Sequence, residues 1–326
     1  MTTIISFVAL SMSGFHLYIA WQGPPDALTL RAVHLAFALI LVFLTSATKR
    51  DSKLGFRLDS LILIILTIVT CGYLVLQQDY IVSRMVYVDP LRHIDWTLGI
   101  ITVLLVLEGT RRAVGWALPV TAIAFLAYAL TIGGVDFERV TEQMYMGTEG
   151  ILGIPLYVSA TYVMLFILFG ALVERTGTGA LFMDFAMGLA GHSAGGPAKV
   201  SCITSGMFGT VSGSAVANVM TTGAFTIPLM KRLGYKPAFS GSVEAVASTG
   251  GQIMPPIMGA TAFIMAEFLG ISYLKVAMYA LLPALLYYVA LFLSIHFEAK
   301  KNGMHGLKKS ELPKVSKVLK ERGHLF

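Results

Sequence analysis

Apolar residues in this chain come in long runs, not in the alternation of a lipid-facing β-barrel strand. Runs at about 3–22, 29–47, 59–77, 95–110, 114–133 and 152–173 each approach the ~20 residues that cross a bilayer as a helix. They predict six full spans. Beyond Arg175 the pattern changes. Thr178 to Ala190 is too short to cross and is interrupted by Asp184, which predicts a short arm at a membrane surface. Two half-length runs follow, Gly195 to Gly209 and Ala215 to Met230, separated by the small-residue cluster Gly209-Thr210-Val211-Ser212-Gly213-Ser214. The next segment, Pro237 to Gly250, meets Gly250, Gly251, Pro255 and Pro256 before Ile257 to Phe268 completes a crossing. Ile271 to Phe297 is a last full span.

Charge orients these runs. Lys49, Arg50, Lys53 and Arg57 lie between the second and third spans, Arg111 and Arg112 between the fourth and fifth, and Arg175 after the sixth. The segment Gly134 to Gly150 is acidic, with Asp136, Glu138, Glu142 and Glu149. The positive-inside rule therefore places the N-terminus in the cytoplasm and the acidic loop outside. Arg84 and Arg92 in the preceding outer loop run against it. Lys231 and Arg232 return the chain to the cytoplasm, so the two half-length runs predict a re-entrant hairpin over about 195–233 with its tip at Ser212-Gly213-Ser214. The alternative is one long tilted helix, which would put Lys231 outside. A basic tail over 299–326, interrupted by Pro313, is expected in the cytoplasm as well. Of 326 residues, 56% are hydrophobic and 13% charged, and the net charge of +6 reads as cytoplasmic loops, with no nucleic-acid partner. The chain thus reads as an all-α polytopic membrane protein. Cys71 and Cys202 both sit in apolar runs and form neither a disulfide framework nor a metal motif.

Broken backbone at membrane depth survives only when buried in protein or lining a cavity. Discontinuous helices of this kind hold solutes and coupling ions in secondary transporters. At the hairpin tip, Ser212, Gly213, Ser214 and Asn218 offer hydroxyls and freed carbonyls to a hard cation such as sodium, and helix N-termini there favour a substrate carboxylate. Small residues also let helices pack closely, which is the structural alternative. In the broken helix, about 237–268, the candidates are Ser248, Thr249, Gly250, Gly251 and Gln252, with Pro255 and Pro256 removing backbone donors. Their alternative is a kink satisfied by neighbouring serines or threonines. Glu244 lies about 10 Å along the helix from Pro237. An intramembrane carboxylate is a functional candidate, with a pair to Lys236 or Lys231 as the alternative. A sodium ion is expected near Ser212, Ser214, Thr249 and Gly250. His16, His34 and Asp184 read as structural.

Three stretches carry a resemblance: GTEGILGIPLYVSATYVMLFILFGALVERTG from Gly147, MFGTVSGSAVANVMTTGAFTIPLMKRLGY from Met207, and FSGSVEAVASTGGQIMPPIMGA from Phe239. They resemble the membrane subunits of TRAP transporters, most of all the fused TAXI-subtype permease in which small and large subunits share one chain. The resemblance implies that 1–112 corresponds to the small subunit and 113–298 to the first half of the large one. It implies an elevator-type, sodium-driven importer of small organic anions. The solute would come from a periplasmic TAXI-type solute-binding protein. The setting would be a bacterial or archaeal cytoplasmic membrane with both termini inside. No internal repeat is visible, so the family's second hairpin and broken helix are expected from a complementary half.

Two other classes compete. An intramembrane enzyme would use Ser212 or Ser214 as nucleophile, but a nucleophile needs a base in reach, and His192, the nearest histidine in sequence, sits on the cytoplasmic arm. A non-transporting scaffold, or one subunit of a split permease, is the other. The hairpin makes a direct prediction. Thiols introduced by Thr178→Cys and by Lys231→Cys are both labelled from the cytoplasmic side, and labelling of the second from the periplasm would contradict it.

Overall fold

A computed structural model describes residues 2–48, 58–307, 310 and 312–323. Lys49, Arg50, Lys53 and Arg57, and Lys308 and Lys309 of the tail, lie outside the described residues. Among the described residues every regular element is helical. Helices long and apolar enough to cross a membrane run over Thr2–Gln22, Ala27–Ala47, Leu58–Leu76, Ile154–Val173 and Tyr273–Lys301. The chain divides into two compact units, one ending at Met164 and one beginning at Leu165.

The first unit contains α1 (Thr2–Gln22), α2 (Ala27–Thr48), α3 (Leu58–Leu76), the short α4 (Gln78–Ser83), α5 (His93–Val114) and α6 (Ala117–Thr131). Helix α5 is longer than the expected 95–110, and α6 shorter than 114–133. The fifth run is cut short because Gly133 and Gly134 stop it, the latter in the left-handed region at φ +62°. Leu28, Ala32, Leu35, Leu39 and Phe43 recur at helical spacing on α2 and form the core with Cys71, Leu74, Leu98, Leu105 and Tyr145. Phe7 and Leu10 on α1, and Leu118 and Phe125 on α6, face outward, as lipid-facing residues do.

Several polar groups inside this unit have named partners. Asp95 accepts hydrogen bonds from the Tyr73 hydroxyl at 2.6 Å and the Tyr80 hydroxyl at 2.9 Å. His16 and His34 are 2.9 Å apart, and His34 reaches Ser159 at 3.0 Å. Arg31 donates to the carbonyls of Thr148 and Leu152.

The acidic loop is not all free surface. It carries α7 (Phe137–Thr141), which continues as a π-helical turn over Glu142–Met146. Glu142 is buried and pairs with Arg84 at 3.0 Å, and its other carboxylate oxygen accepts from the Tyr87 amide. Glu138 accepts from the Leu91 amide at 2.8 Å. Arg92 lies 3.6 Å from the Tyr80 ring centroid. The two arginines that ran against the charge rule therefore have structural partners within this unit.

The second unit contains most of α9 (Met164–Arg175), then α10 (Thr178–Ala190), α11 (Gly196–Ser212), α12 (Ala215–Arg232), α13 (Pro237–Gly250), α14 (Ala260–Leu269), α15 (Tyr273–Lys301) and α16 (Val315–Arg322). Helix α9 continues α8 (Ile154–Val158) through a second π-helical turn, Ser159–Val163. Helices α11, α12 and α13 pack mutually, and α15 packs on α11 and α13. Ala198, Cys202, Met230, Tyr235, Val243 and Ile295 form the shared core. The tail docks on α10: Val318 packs with Leu181, Phe182 and Phe208, and the Leu307 amide donates to the Gly191 carbonyl at 2.9 Å.

The Arg84–Glu142 pair generates a prediction. The Arg84 and Glu142 side chains are 6% and 4% exposed, and breaking a buried pair costs about 3–5 kcal/mol. Arg84→Ala should lower stability by about that amount in denaturant unfolding of the purified protein. Asp136→Asn, whose partner Arg139 lies 4.0 Å away with both side chains mostly exposed, should change it by less than about 1 kcal/mol.

Candidate functional site

The hairpin turn is tight. Helix α11 ends at Ser212, α12 starts at Ala215, and only Gly213 and Ser214 lie between them. Gly213 takes φ +60°, and a Cβ there would collide with the Met258 carbonyl. Glycine is therefore required both by conformation and by contact. Ser214 caps α12, its hydroxyl accepting from the Ala217 amide at 3.3 Å. The Ser212 hydroxyl is buried and has no hydrogen-bond partner.

The second break begins where α13 stops at Gly250 and lasts until Ala260, longer than the expected restart at Ile257. It closes on itself through the Gly259 amide, which donates to the Gln252 carbonyl at 2.7 Å. Pro255 and Pro256 fall inside it, and the Tyr273 hydroxyl donates to the Pro256 carbonyl at 2.9 Å and also reaches the Ile257 carbonyl. Breaks in α11–α12 and α13–α14 touch through backbone: a Cβ on Gly209 would collide with the Cα of Gly251, and one on Gly251 would lie 3.1 Å from the Asn218 amide nitrogen.

The sequence-derived candidates divide on this geometry. Ser212, Gly213, Asn218, Gly251 and the Met258 carbonyl gather where the hairpin tip meets the second break. Asn218 donates to the Ser205 carbonyl at 2.8 Å and ties α12 to α11. Gly250 lies against the Tyr287 and Tyr288 rings. Thr249 and Gln252 are exposed, and the Thr249 hydroxyl donates back to the Ala245 carbonyl at 2.7 Å. Ser214 is exposed and occupied with its cap.

Glu244 is fully buried. Its Oε2 accepts from Ser201 at 2.6 Å and from Thr226; its Oε1 accepts from Ser205 at 3.2 Å, from Ser248 at 3.1 Å and from Thr222. The alternative of a pair with Lys236 or Lys231 is not realised, since both lysines are exposed at helix ends. Ser201, Ser205, Thr222 and Thr226 were not legible as site residues one at a time. Together they are: Ser201/Ser205, Thr222/Thr226 and Glu244/Ser248 are three i,i+4 pairs, each on one face of its own helix.

Beside α11 and α15 lies a crevice of about 380 Å³ lined by Ile203, Met207, Met254, Leu285, Val289 and Phe292, with Cys202, Thr210 and Tyr288 as its only polar side chains. It carries no cation to recognise an organic anion.

Comparison with known proteins identifies the family. Residues 101–324 match the family described as the tripartite ATP-independent periplasmic transporter, DctM component. The chain is 29% identical over 210 residues to the sialic acid TRAP transporter large permease protein SiaM of Vibrio cholerae, covering 64% of this chain and 46% of that protein. It is 27% identical over 222 residues to the isethionate TRAP transporter permease protein DctMQ of Oleidesulfovibrio alaskensis, covering 68% and 32%. The C4-dicarboxylate TRAP transporter large permease protein DctM of Rhodobacter capsulatus is 27% identical over 161 residues, covering 49% and 34%. The chain thus spans less than half the length of each of these relatives. The family is a transporter permease, so the serine-nucleophile reading of Ser212 and Ser214 falls. With its matched region reaching from α5 into the C-terminal helix, this chain belongs to the DctM component family of the TRAP transporters.

Proposed function

We propose that this chain is the membrane permease component of a sodium-coupled secondary transporter. It imports small organic anions delivered by a periplasmic solute-binding protein of the TAXI type. The observation that carries the reading is the meeting of two broken helical elements, with the buried Ser212 hydroxyl left without a partner at the junction. A buried unpaired hydroxyl costs about 1–3 kcal/mol. A bound cation is one way to relieve it. The sodium ligands would be the Ser212 hydroxyl and carbonyls of the two breaks, with Gly213, Asn218, Gly250 and Gly251 shaping the site. Thr249 enters through its backbone, since its hydroxyl is committed to Ala245. Relatives named for sialic acid, isethionate and C4-dicarboxylates support an anionic substrate class. The length of those relatives that this chain leaves uncovered would supply a complementary permease half, and an elevator motion would need both. The protein would lie in the cytoplasmic membrane, with the hairpin re-entrant from the cytoplasmic face and both termini inside.

An ion that binds only the folded state stabilises it in proportion to the logarithm of its concentration above the dissociation constant. Sodium should raise the thermal midpoint of the purified protein with its complementary half, and potassium should not. Ser212→Ala should weaken the sodium response, whereas Thr249→Val should leave it unchanged. Equal midpoints in sodium and potassium, with sodium-independent uptake in proteoliposomes, would contradict the coupling. Uptake that needs no binding protein would contradict the delivery step. Absence of any uptake with both partners present would favour the scaffold reading.

A further inference from the structure

Glu244 stands apart from the junction assigned to sodium, and its surroundings suit a different ligand. The five side chains on its carboxylate are all hydroxyls, from three helices: Ser201 and Ser205 on α11, Thr222 and Thr226 on α12, and Ser248 on α13. A carboxylate has about four lone-pair sites, so five hydroxyl contacts exceed what it accepts at once, and at least one hydroxyl proton turns elsewhere. A hard cation binds by gathering oxygens around itself, yet here each hydroxyl sits directly on a carboxylate oxygen. Admitting an ion would mean parting those contacts.

Charged neighbours are turned elsewhere. On α11, the Lys199 ammonium lies 3.1 Å from the Ser193 hydroxyl and 3.0 Å from His296 of α15, and Cys202 faces the Tyr288 carbonyl. On α15, the Tyr287 and Tyr288 hydroxyls donate to the carbonyls of Val246 and Ala247. Lys231 and Arg232 on α12, and Lys236 at the start of α13, are exposed. Among the described residues no basic side chain pairs with Glu244.

The hydroxyls have a second use for their protons. Thr226 also reaches the Thr222 carbonyl at 3.1 Å, and Thr222 reaches the Asn218 carbonyl at 2.8 Å. Each threonine owns one hydroxyl proton, which goes either to the carboxylate or back to its own helix. The same heavy atoms therefore accommodate two arrays. With Glu244 ionised, the hydroxyls donate to it. With Glu244 neutral, its own O–H donates to the Thr226 or Ser201 oxygen, and Thr226 turns its proton to the Thr222 carbonyl.

We propose that Glu244 and its five hydroxyls form a proton-binding site that joins the hairpin α11–α12 to α13. The proton comes from water and returns to it, so nothing is oxidised or reduced. Because the three helices share the site, proton binding biases how firmly α13 is held against the hairpin, and so adds a proton to the coupling of the permease. The site itself does not require the sodium assignment.

Infrared difference spectroscopy of the purified full chain, with pH stepped from about 5 to 9 in sodium-free buffer, tests it by the band of a protonated carboxyl group. The wild-type protein should show such a band that titrates. Glu244→Gln, which mimics the neutral acid in shape, should lose it. Thr226→Val keeps the carboxyl but removes one facing oxygen, and should displace the midpoint of the band. This second variant decides the matter if Glu244→Gln does not fold. A band unchanged in Glu244→Gln, or a midpoint unmoved in Thr226→Val, would overturn the proposal. So would a band that responds to added sodium but not to pH. Failure of the sodium response at Ser212 leaves these outcomes untouched, so the two proposals fail separately.

Discussion

A buried carboxylate without a counter-charge is tolerated only if its oxygens are hydrogen-bonded. Glu244 meets that condition through hydroxyls from α11, α12 and α13. The second unit is arranged around it. The two hairpin helices must present Ser201/Ser205 and Thr222/Thr226 at the same level. Gly223 then lets α13 approach, since a Cβ there would lie 3.1 Å from the Glu244 side chain. The register that satisfies the carboxylate is also the one that brings Gly209 onto Gly251 and Gly213 onto Met258. Polar satisfaction in the middle of the bundle and backbone contact at its tip are one packing solution.

The same economy governs the first unit. Asp95, Glu142, Arg31 and the two histidines are all held by named partners inside that unit. Intramembrane ionisable groups are costly and usually mark function, but the partners of these groups also give them a structural role. In the second unit the buried hydroxyls of Ser212, Thr204 and Tyr235 lack a hydrogen-bond partner, and that of Ser212 lies beside the hairpin turn.

Much of the fold was legible because membrane sequences are constrained so simply. Run length gives the spans, and Gly and Pro mark the breaks. Thus the cluster around Gly213 and the segment from Gly250 to Pro256 stand out, and the helices do stop there. What hydropathy could not show is which side of a helix a polar residue faces. Thr249 and Ser248 are neighbours in sequence, yet one is exposed and the other is buried on Glu244. Nor could it show that Arg84 would find Glu142, 58 positions further along the chain, because that pair is set by tertiary packing. The hydroxyl ring was legible only as coinciding i,i+4 pairs, a pattern that gains meaning once three helices are known to share a level.

The central claim is that Glu244 and the hairpin hydroxyls act as one unit. A double-mutant cycle measures this directly: thermal or denaturant stability of the wild-type protein, Ser201→Ala, Ser248→Ala and the double variant. Residues in one hydrogen-bond network couple by about 0.5–3 kcal/mol, whereas independent sites add within about 0.5 kcal/mol. Both hydroxyls act on the same carboxylate from different helices, so the account predicts clear non-additivity. Strict additivity would mean that the carboxylate is not the shared centre that the packing of α11, α12 and α13 depends on.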